Sequence, residues 1–184
     1  MNLQALLDGL LAIVAFYVAL QAGRSAPALR LAAGLLGAAA TLGALRFSGV
    51  LPLPPLHQYI SMLGAGVALP LLALAITQPT SAVAAQRRFA WIFAVLAAVV
   101  CTLVVLVAQV KWWTPMCATV AATAIAGYGV VRKQAAVAGI GVLLLVTLIA
   151  FAMRVQAGPI QPGDLLHIGM ALVLLAINRV RSST

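Results

Sequence analysis

Charged residues, and acidic residues above all, are scarce in this sequence. Only 7% of its 184 residues are charged, and two acids, Asp8 and Asp164, stand against eleven Lys and Arg. Soluble domains are roughly a quarter charged, so a soluble globular fold is excluded and most of the surface must face lipid. The cations stand singly or in pairs between apolar runs, without the basic face or interleaved aromatics of nucleic-acid binding, so no nucleic-acid partner is expected.

Cysteine is also rare, and its placement excludes the common cysteine chemistries. Cys101 and Cys117 each lie inside an apolar run without CxxC spacing, so we expect two buried free thiols rather than a metal or redox centre. Nucleophilic catalysis finds little support, since Ser61, one turn after His57, is the single weak candidate for a nucleophile. The sequence therefore favours a protein that is not an enzyme.

Apolar sequence, by contrast, is abundant, with 65% of the residues hydrophobic. A helix needs about 20 apolar residues to cross a bilayer, and seven runs meet this requirement. The runs cover residues 3–22, 27–46, 56–77, 89–109, 115–131, 135–153 and 163–179. We expect an all-α polytopic membrane protein with a single transmembrane domain over residues 1–184. The compact, Ala-, Leu- and Arg-rich composition favours a bacterial inner membrane.

The loop cations predict the orientation, because cytoplasmic loops carry the excess of Lys and Arg. One side of the predicted bundle holds eight of the eleven cations: Arg24, Arg30, Arg87, Arg88, Arg132, Lys133, Arg179 and Arg181. The other side holds Arg46, Lys111 and Arg154. We therefore expect the N-terminus outside and the C-terminus in the cytoplasm. Both acids and both histidines then fall in the outer half, where the sequence predicts any functional site.

Two stretches of the chain share one pattern: an Arg, a proline-bearing loop, a His and then a membrane helix. Arg46 precedes His57 by 11 residues, and Arg154 precedes His167 by 13. This shared pattern predicts a parallel internal repeat, with the two units related by an axis along the membrane normal. The repeats span residues 1–78 and 115–184, with a linker helix at 89–109. This 3+1+3 plan resembles that of the SWEET sugar transporters, although the Pro-Gln signature of that family is missing at the matching positions.

The repeat suggests a haem site. Histidines on two helices related by such an axis can supply both axial ligands of one b-type haem, since imidazole is a common axial ligand. His57 and His167 are the candidate ligands of the haem iron, and Arg46 and Arg154 are the candidate partners of the propionates. Residue counts to the cytoplasmic helix ends are 21 from His57 and 12 from His167. They predict different depths unless the last helix continues through Arg181 or Pro70 lets the third helix run oblique.

Asp164 and His167 offer a second chemistry. They share a helix face at i, i+3 spacing, so the carboxyl can orient or protonate the imidazole in a proton relay or solute site, to which Asp8 can contribute. Structural roles compete with this interpretation. Asp164 is a suitable N-cap for the last helix. Ion pairs of Asp8 with Arg46, and of Arg154 with Asp164, would offset the desolvation of each charge.

Three classes of function remain open. The first is a haem-binding membrane protein for electron transfer, and the second is a small-solute or proton-coupled carrier with an outer-half site at Asp164 and His167. The third is a non-catalytic membrane subunit or scaffold. Haem b is the one cofactor under consideration. The lipid bilayer is the expected partner in each case, and a membrane protein partner or a homo-oligomer fits all three.

Overall fold

The structure, a computed structural model, describes residues 2–51 and 53–182, so Met1, Pro52, Ser183 and Thr184 lie outside the described residues. In the described part, seven helices are long and apolar enough to span a membrane. They are α1 (Leu3–Ala22), α2 (Pro27–Phe47), α3 (Pro54–Thr77), α4 (Arg87–Val107), α5 (Trp113–Val131), α6 (Ala135–Ala152) and α7 (Pro162–Ser182). The predicted all-α class is confirmed, as is the prediction of seven helices that are long and apolar enough to span a membrane.

The helix boundaries follow local sequence chemistry. Pro27, Pro54 and Pro162 are the first residues of α2, α3 and α7, where the missing proline N–H costs no helical hydrogen bond. Helix α3 therefore begins at its proline, before the predicted start at residue 56. Helix α7 runs on to Ser182, beyond the predicted end at residue 179.

Helix α3 is irregular at its centre. A π-helical turn spans Gly64–Ala68, and the Leu69 N–H bonds the Gly64 carbonyl five residues back. Pro70 follows directly, and a proline has no N–H for the carbonyl four residues back and crowds the preceding turn. The wider π-turn accommodates both effects, so the helix continues through Pro70 without a break.

Six of these helices form a ring in the order α1, α2, α3, α5, α6, α7, with α7 packing back against α1. Helix α4 lies outside the ring against α2 and α3, and only 11% of its span is buried. The ring therefore consists of two three-helix halves, α1–α3 and α5–α7, which meet along the α3–α5 and α7–α1 contacts.

Close backbone contacts hold the second half together. A Cβ added at Gly129 of α5 would overlap the backbone of Ala138 in α6, and one added at Gly141 of α6 would overlap Ala126 in α5. Small residues let helices approach in lipid, where packing rather than the hydrophobic effect drives association. These glycines therefore fix how closely α5 and α6 approach.

The two ends of the bundle differ in their polar residues. Short links make consecutive helices antiparallel, so α1, α3 and α7 begin at the same end. We call this end the histidine end, because the first two turns of these helices carry Asp8, His57, Asp164 and His167. The opposite end, where α2 and α4 begin, is the arginine end and carries Arg24, Arg30, Arg87 and Arg88.

Candidate functional site

Four polar side chains lie at similar depths at the histidine end. Asp8 and His167 are each five residues past the first residue of their helix, which is about 7.5 Å at 1.5 Å per residue. By the same rise, His57 lies about 4.5 Å into α3 and Asp164 about 3 Å into α7. With the three helix starts level, these depths differ by less than one helical turn.

Asp8 lies on the packing face of α1. The buried residues of this helix recur at helical spacing and are mostly small: Ala5, Asp8, Leu11, Ala12, Val14, Ala15, Val18, Ala19 and Ala22. The Asp8 carboxyl rests against Gly43 of α2, where an added Cβ would stand 2.5 Å from Asp8 Oδ2. Gly43 thus provides the space that the fully buried carboxyl fills.

The Asp8 carboxyl faces the imidazole of His167 across the α1–α7 contact. His167 Nδ1 lies 3.2 Å from Asp8 Oδ1. The distance is within hydrogen-bonding range, but the geometry is not aligned, so neither atom has a proper hydrogen-bond partner among the described residues. Asp8 Oδ2 has none there either. A buried, unsatisfied carboxyl inside a membrane bundle is energetically unfavourable, which points to a functional role.

Asp164 places a second buried carboxyl beside this pair. Its Oδ2 accepts a 2.8 Å hydrogen bond from the Gln161 backbone N–H, just ahead of α7. Asp164 is the third residue of that helix, so the predicted N-cap position was wrong, although the side chain does cap the helix start. Its Oδ1 is buried without a hydrogen bond among the described residues. Asp164 also lies close enough to act electrostatically on Asp8 and His167.

This cluster borders a cavity of about 120 Å³ between α1, α2, α3, α6 and α7. Its polar lining consists of Asp8, His57, Ser61 and His167. Gly64 and Ala65 of the π-turn form part of the wall, so the irregular segment of α3 borders the site. Such π-turns are frequent at functional sites. The cavity has room for several water molecules or a solute of a few heavy atoms.

His57 reaches the cavity from α3, and its surroundings differ from those of His167. Its ring meets the Phe47 ring edge-to-face, with centroids 5.9 Å apart. The Arg46 guanidinium lies 5.1 Å from the Phe47 centroid and acts electrostatically on His57. His57 Nδ1 is buried and has no hydrogen-bond partner in the described part of the chain. One histidine therefore faces carboxyls, and the other faces an aromatic ring and a cation.

The structure brings both histidines to one cavity, despite their unequal residue counts to the opposite ends of their helices. Helix α7 continues past Arg181 to Ser182, as equal depth requires. In α3 the π-turn lies between His57 and the far end of the helix. The observed forms of α3 and α7 therefore allow His57 and His167 to lie at the same depth.

The two predicted ion pairs do not form between these described residues. The Asp8 carboxyl is directed to His167 rather than to Arg46. Arg154 follows α6 in a left-handed conformation with φ of 53° and an exposed side chain, and it makes no ion pair with Asp164. Neither arginine lines the cavity. Both ion-pair predictions were wrong because the acids face inward between helices while the arginines lie at the helix ends.

Sequence reasoning named Asp8 and His167 but missed their contact. A signal for it was present in α1, where Ala5, Ala12 and Ala15 share a helical face with Asp8. A face of small residues marks helix packing in membranes. That pattern indicates that Asp8 faces other helices rather than the headgroup region.

The cluster is suited to proton and hydrogen-bond chemistry. Within residues 2–51 and 53–182, no three His, Cys, Asp or Glu side chains are grouped to hold a metal ion. A haem fits this arrangement poorly, because the cavity of about 120 Å³ is below the roughly 300–1,000 Å³ of ordinary small-molecule pockets. The candidate propionate partners, Arg46 and Arg154, also lie outside its lining.

Comparison with known proteins gives no information on the site, which is therefore interpreted from its own geometry. No protein-family model matches the chain, and no curated protein or solved structure matches it. The seven apolar helices nevertheless have the architecture of an integral membrane protein.

Proposed function

We propose that this protein is a small-solute carrier whose transport is coupled to proton binding at Asp8 and His167. One observation carries the proposal: the fully buried Asp8 carboxyl lies 3.2 Å from His167 Nδ1 and faces a cavity of small-solute size. Ionisable residues that face the interior of a membrane bundle are typical of ion pathways and of the proton relays of transporters.

Charge balance at Asp8 supports exchange between a proton and a solute. A bare carboxylate there costs on the order of several kcal/mol unless it is protonated or paired with a cation. A protonated His167 can supply that positive charge, and so can a cationic solute in the cavity. Proton and solute then compete for the same two side chains, which is the physical basis of coupled antiport.

The cavity lining favours a small cationic solute rich in N–H donors. Asp8 and Ser61 offer acceptor oxygens, the two histidines offer ring nitrogens, and Asp164 adds negative charge nearby. Arg46 lies outside the lining, so no permanent cation of the described residues faces the solute. Planar guanidinium groups match carboxylates with two parallel hydrogen bonds. Guanidinium is therefore a suitable probe solute.

The position of the cavity also suits a carrier. Helices of both three-helix halves line it, and transporters built from repeats bind solute near the repeat interface. We propose that the two halves form the parallel repeat that the sequence predicts. With the arginine end in the cytoplasm of a bacterial inner membrane, the histidine end faces outward and the site loads from that side.

Reconstituted vesicles test the proposal. Purified protein is placed in liposomes containing a pH-sensitive dye, and a guanidinium gradient is imposed at constant membrane potential. We expect protons to move against the guanidinium flow at a rate well above that of protein-free vesicles. Asp8→Asn should reduce this movement by about 100-fold or more, because the amide keeps the shape but cannot bind the exchanged proton.

Matched solutes and thermal stability separate transport from leakage and misfolding. Urea has the size of guanidinium without its charge, and methanesulfonate is a small impermeant anion, so neither should move protons. Asp8→Asn should melt at the same temperature as the unmodified protein or higher, because it removes a buried charge. If none of the three solutes moves protons, the carrier proposal is contradicted.

Haem binding for electron transfer is the second candidate. It is favoured by one observation, that His57 and His167 line the same cavity. The purified protein would then show a Soret absorption band that disappears in His57→Ala and in His167→Ala. A colourless preparation that takes up no added haem would exclude it. A colourless protein that also moves no protons would favour the subunit role, to be tested by co-purification of a partner.

A further inference from the structure

The arginine end carries a groove that the proposed transport site does not use. A cavity of about 450 Å³ is lined by Gly23, Arg24, Pro27, Arg30, Leu31, Arg87 and Trp91. A second cavity of about 450 Å³ shares Arg30, Leu31 and Trp91 with it and continues along α1, α2, α3 and α4. Because the two share a wall, they form one groove with a basic part and an apolar part.

The basic part is suited to an anionic group. It gathers Arg24, Arg30 and Arg87, whereas both acidic side chains of the chain lie at the histidine end. Helices α2 and α4 begin here, and neither start has a capping side-chain hydrogen bond. Uncapped helix starts present free N–H groups and the positive end of the helix dipole. Charge and hydrogen-bond donors therefore converge without an acidic partner.

The apolar part is suited to a hydrocarbon chain. Its wall includes Phe16, Leu35, Val67 and Leu71, and Gly34 leaves open space at its floor, since an added Cβ there meets nothing within 4 Å. From Arg30 to Leu35 the groove extends about 7.5 Å along α2 at the helical rise. Trp91 lies where the two parts join, and indole rings prefer the membrane interface.

We propose that this groove binds one anionic phospholipid, with its phosphate among the three arginines and an acyl chain along the apolar part. The sequence predicts a cytoplasmic position for this end, where anionic lipids attract basic segments. A free phosphate would satisfy the arginines but would leave the adjoining apolar groove empty. The continuity of the two parts therefore favours the lipid.

Native mass spectrometry of the purified full chain tests this assignment. Binding is titrated with phosphatidylglycerol and with phosphatidylcholine of identical acyl chains. We expect tighter binding of phosphatidylglycerol, and a loss of about 100-fold in the variant that combines R24Q, R30Q and R87Q, since each cation near a headgroup contributes roughly fivefold. Arg88→Gln is the matched control, because Arg88 neighbours Arg87 but lies outside the groove lining.

A second variant keeps every cation and therefore leaves the predicted topology unchanged. Gly34→Leu fills the apolar part and should weaken binding of both lipids, whereas Gly127→Leu, at an exposed position of α5 with open space around it, should weaken neither. Equal binding of the two lipids, or full binding by Gly34→Leu, would overturn the proposal. Displacement of phosphatidylglycerol by millimolar inorganic phosphate would overturn it too, because the site would then be one for a soluble anion.

Discussion

The two histidines line one cavity but have opposite surroundings. His167 lies 3.2 Å from the Asp8 carboxyl, with Asp164 nearby on its own helix. His57 packs against the edge of Phe47, with Arg46 acting on it from the helix end. A carboxyl can orient an imidazole and exchange a proton with it, whereas an aromatic edge only packs against it. The same residue type is therefore placed for two different roles.

The helices that carry them differ as well. Helix α7 is regular from Pro162 to Ser182, with its start fixed by the Asp164 hydrogen bond to Gln161. Helix α3 contains the π-turn at Gly64–Ala68, which ends two residues before Pro70. A regular helix holds a proton-binding group in a fixed position, and an irregular helix allows local rearrangement of a cavity wall. We infer that α7 carries the proton site and α3 the adjustable wall.

Replacing each histidine with glutamine tests this difference and has the largest expected effect. His167→Gln removes the proton-binding partner of Asp8 while keeping similar size, so proton-coupled guanidinium movement in vesicles should fall at least about tenfold. His57→Gln should retain most of the activity, because the His57 ring packs against Phe47 rather than beside a carboxyl and so contributes shape. Equal losses in the two variants would contradict the assigned roles, and a larger loss at His57 would reverse them.

A second test fills the space beside Gly43 that the Asp8 carboxyl occupies. In Gly43→Ala the new Cβ would stand 2.5 Å from Asp8 Oδ2, so the carboxyl must move from its place beside His167. We expect a loss of about 1–3 kcal/mol in unfolding free energy from overpacking, together with reduced transport. Thermal melting in detergent and the vesicle assay measure the two effects.

Gly34→Ala is the matched control on the same helix. An added Cβ at Gly34 meets nothing within 4 Å, so this change should stabilise α2 by about 0.5–1 kcal/mol through helix propensity. Combining Gly43→Ala with Asp8→Ala should restore stability, because the overlapping carboxyl is gone. Failure of that double variant to recover would show that Gly43 packs against something other than Asp8.

The spans were predictable from sequence because each is a long apolar run bounded by proline, glycine or cations. The pairing of Asp8 with His167 was harder, since it depends on rotation about two helix axes that are far apart in the chain. Ala- and Leu-rich faces specify that rotation weakly. Arg46 was the obvious partner by charge, yet its side chain lies over the Phe47 ring. Charge alone therefore predicted the wrong contact.

The irregularity of α3 was predictable only in part. Pro70 disfavours a regular α-helix around it, but the form of the distortion depends on packing. Gly64 lies against Leu36 of α2, and Gly66 lies against Cys101 of α4, where an added Cβ would overlap Sγ. These contacts from two neighbouring helices hold the π-turn in place, and nothing local in the sequence specifies them.

Replacement of Pro70 gives the smallest expected effect and tests what holds the π-turn. Pro70→Ala restores one N–H and removes the ring, which favours a regular helix. Conversion to α-geometry, however, would rotate the first half of α3 by about 100° and carry His57 off the cavity. Because Gly64 and Gly66 pack closely against α2 and α4, we expect the π-turn to persist, with slower amide exchange near Gly66 and nearly unchanged transport.

Pro54→Ala, at the start of α3, is the control, and it should change neither the amide exchange near Gly66 nor the transport. A large loss of transport in Pro70→Ala would instead show that the proline itself maintains the part of the cavity wall that α3 forms.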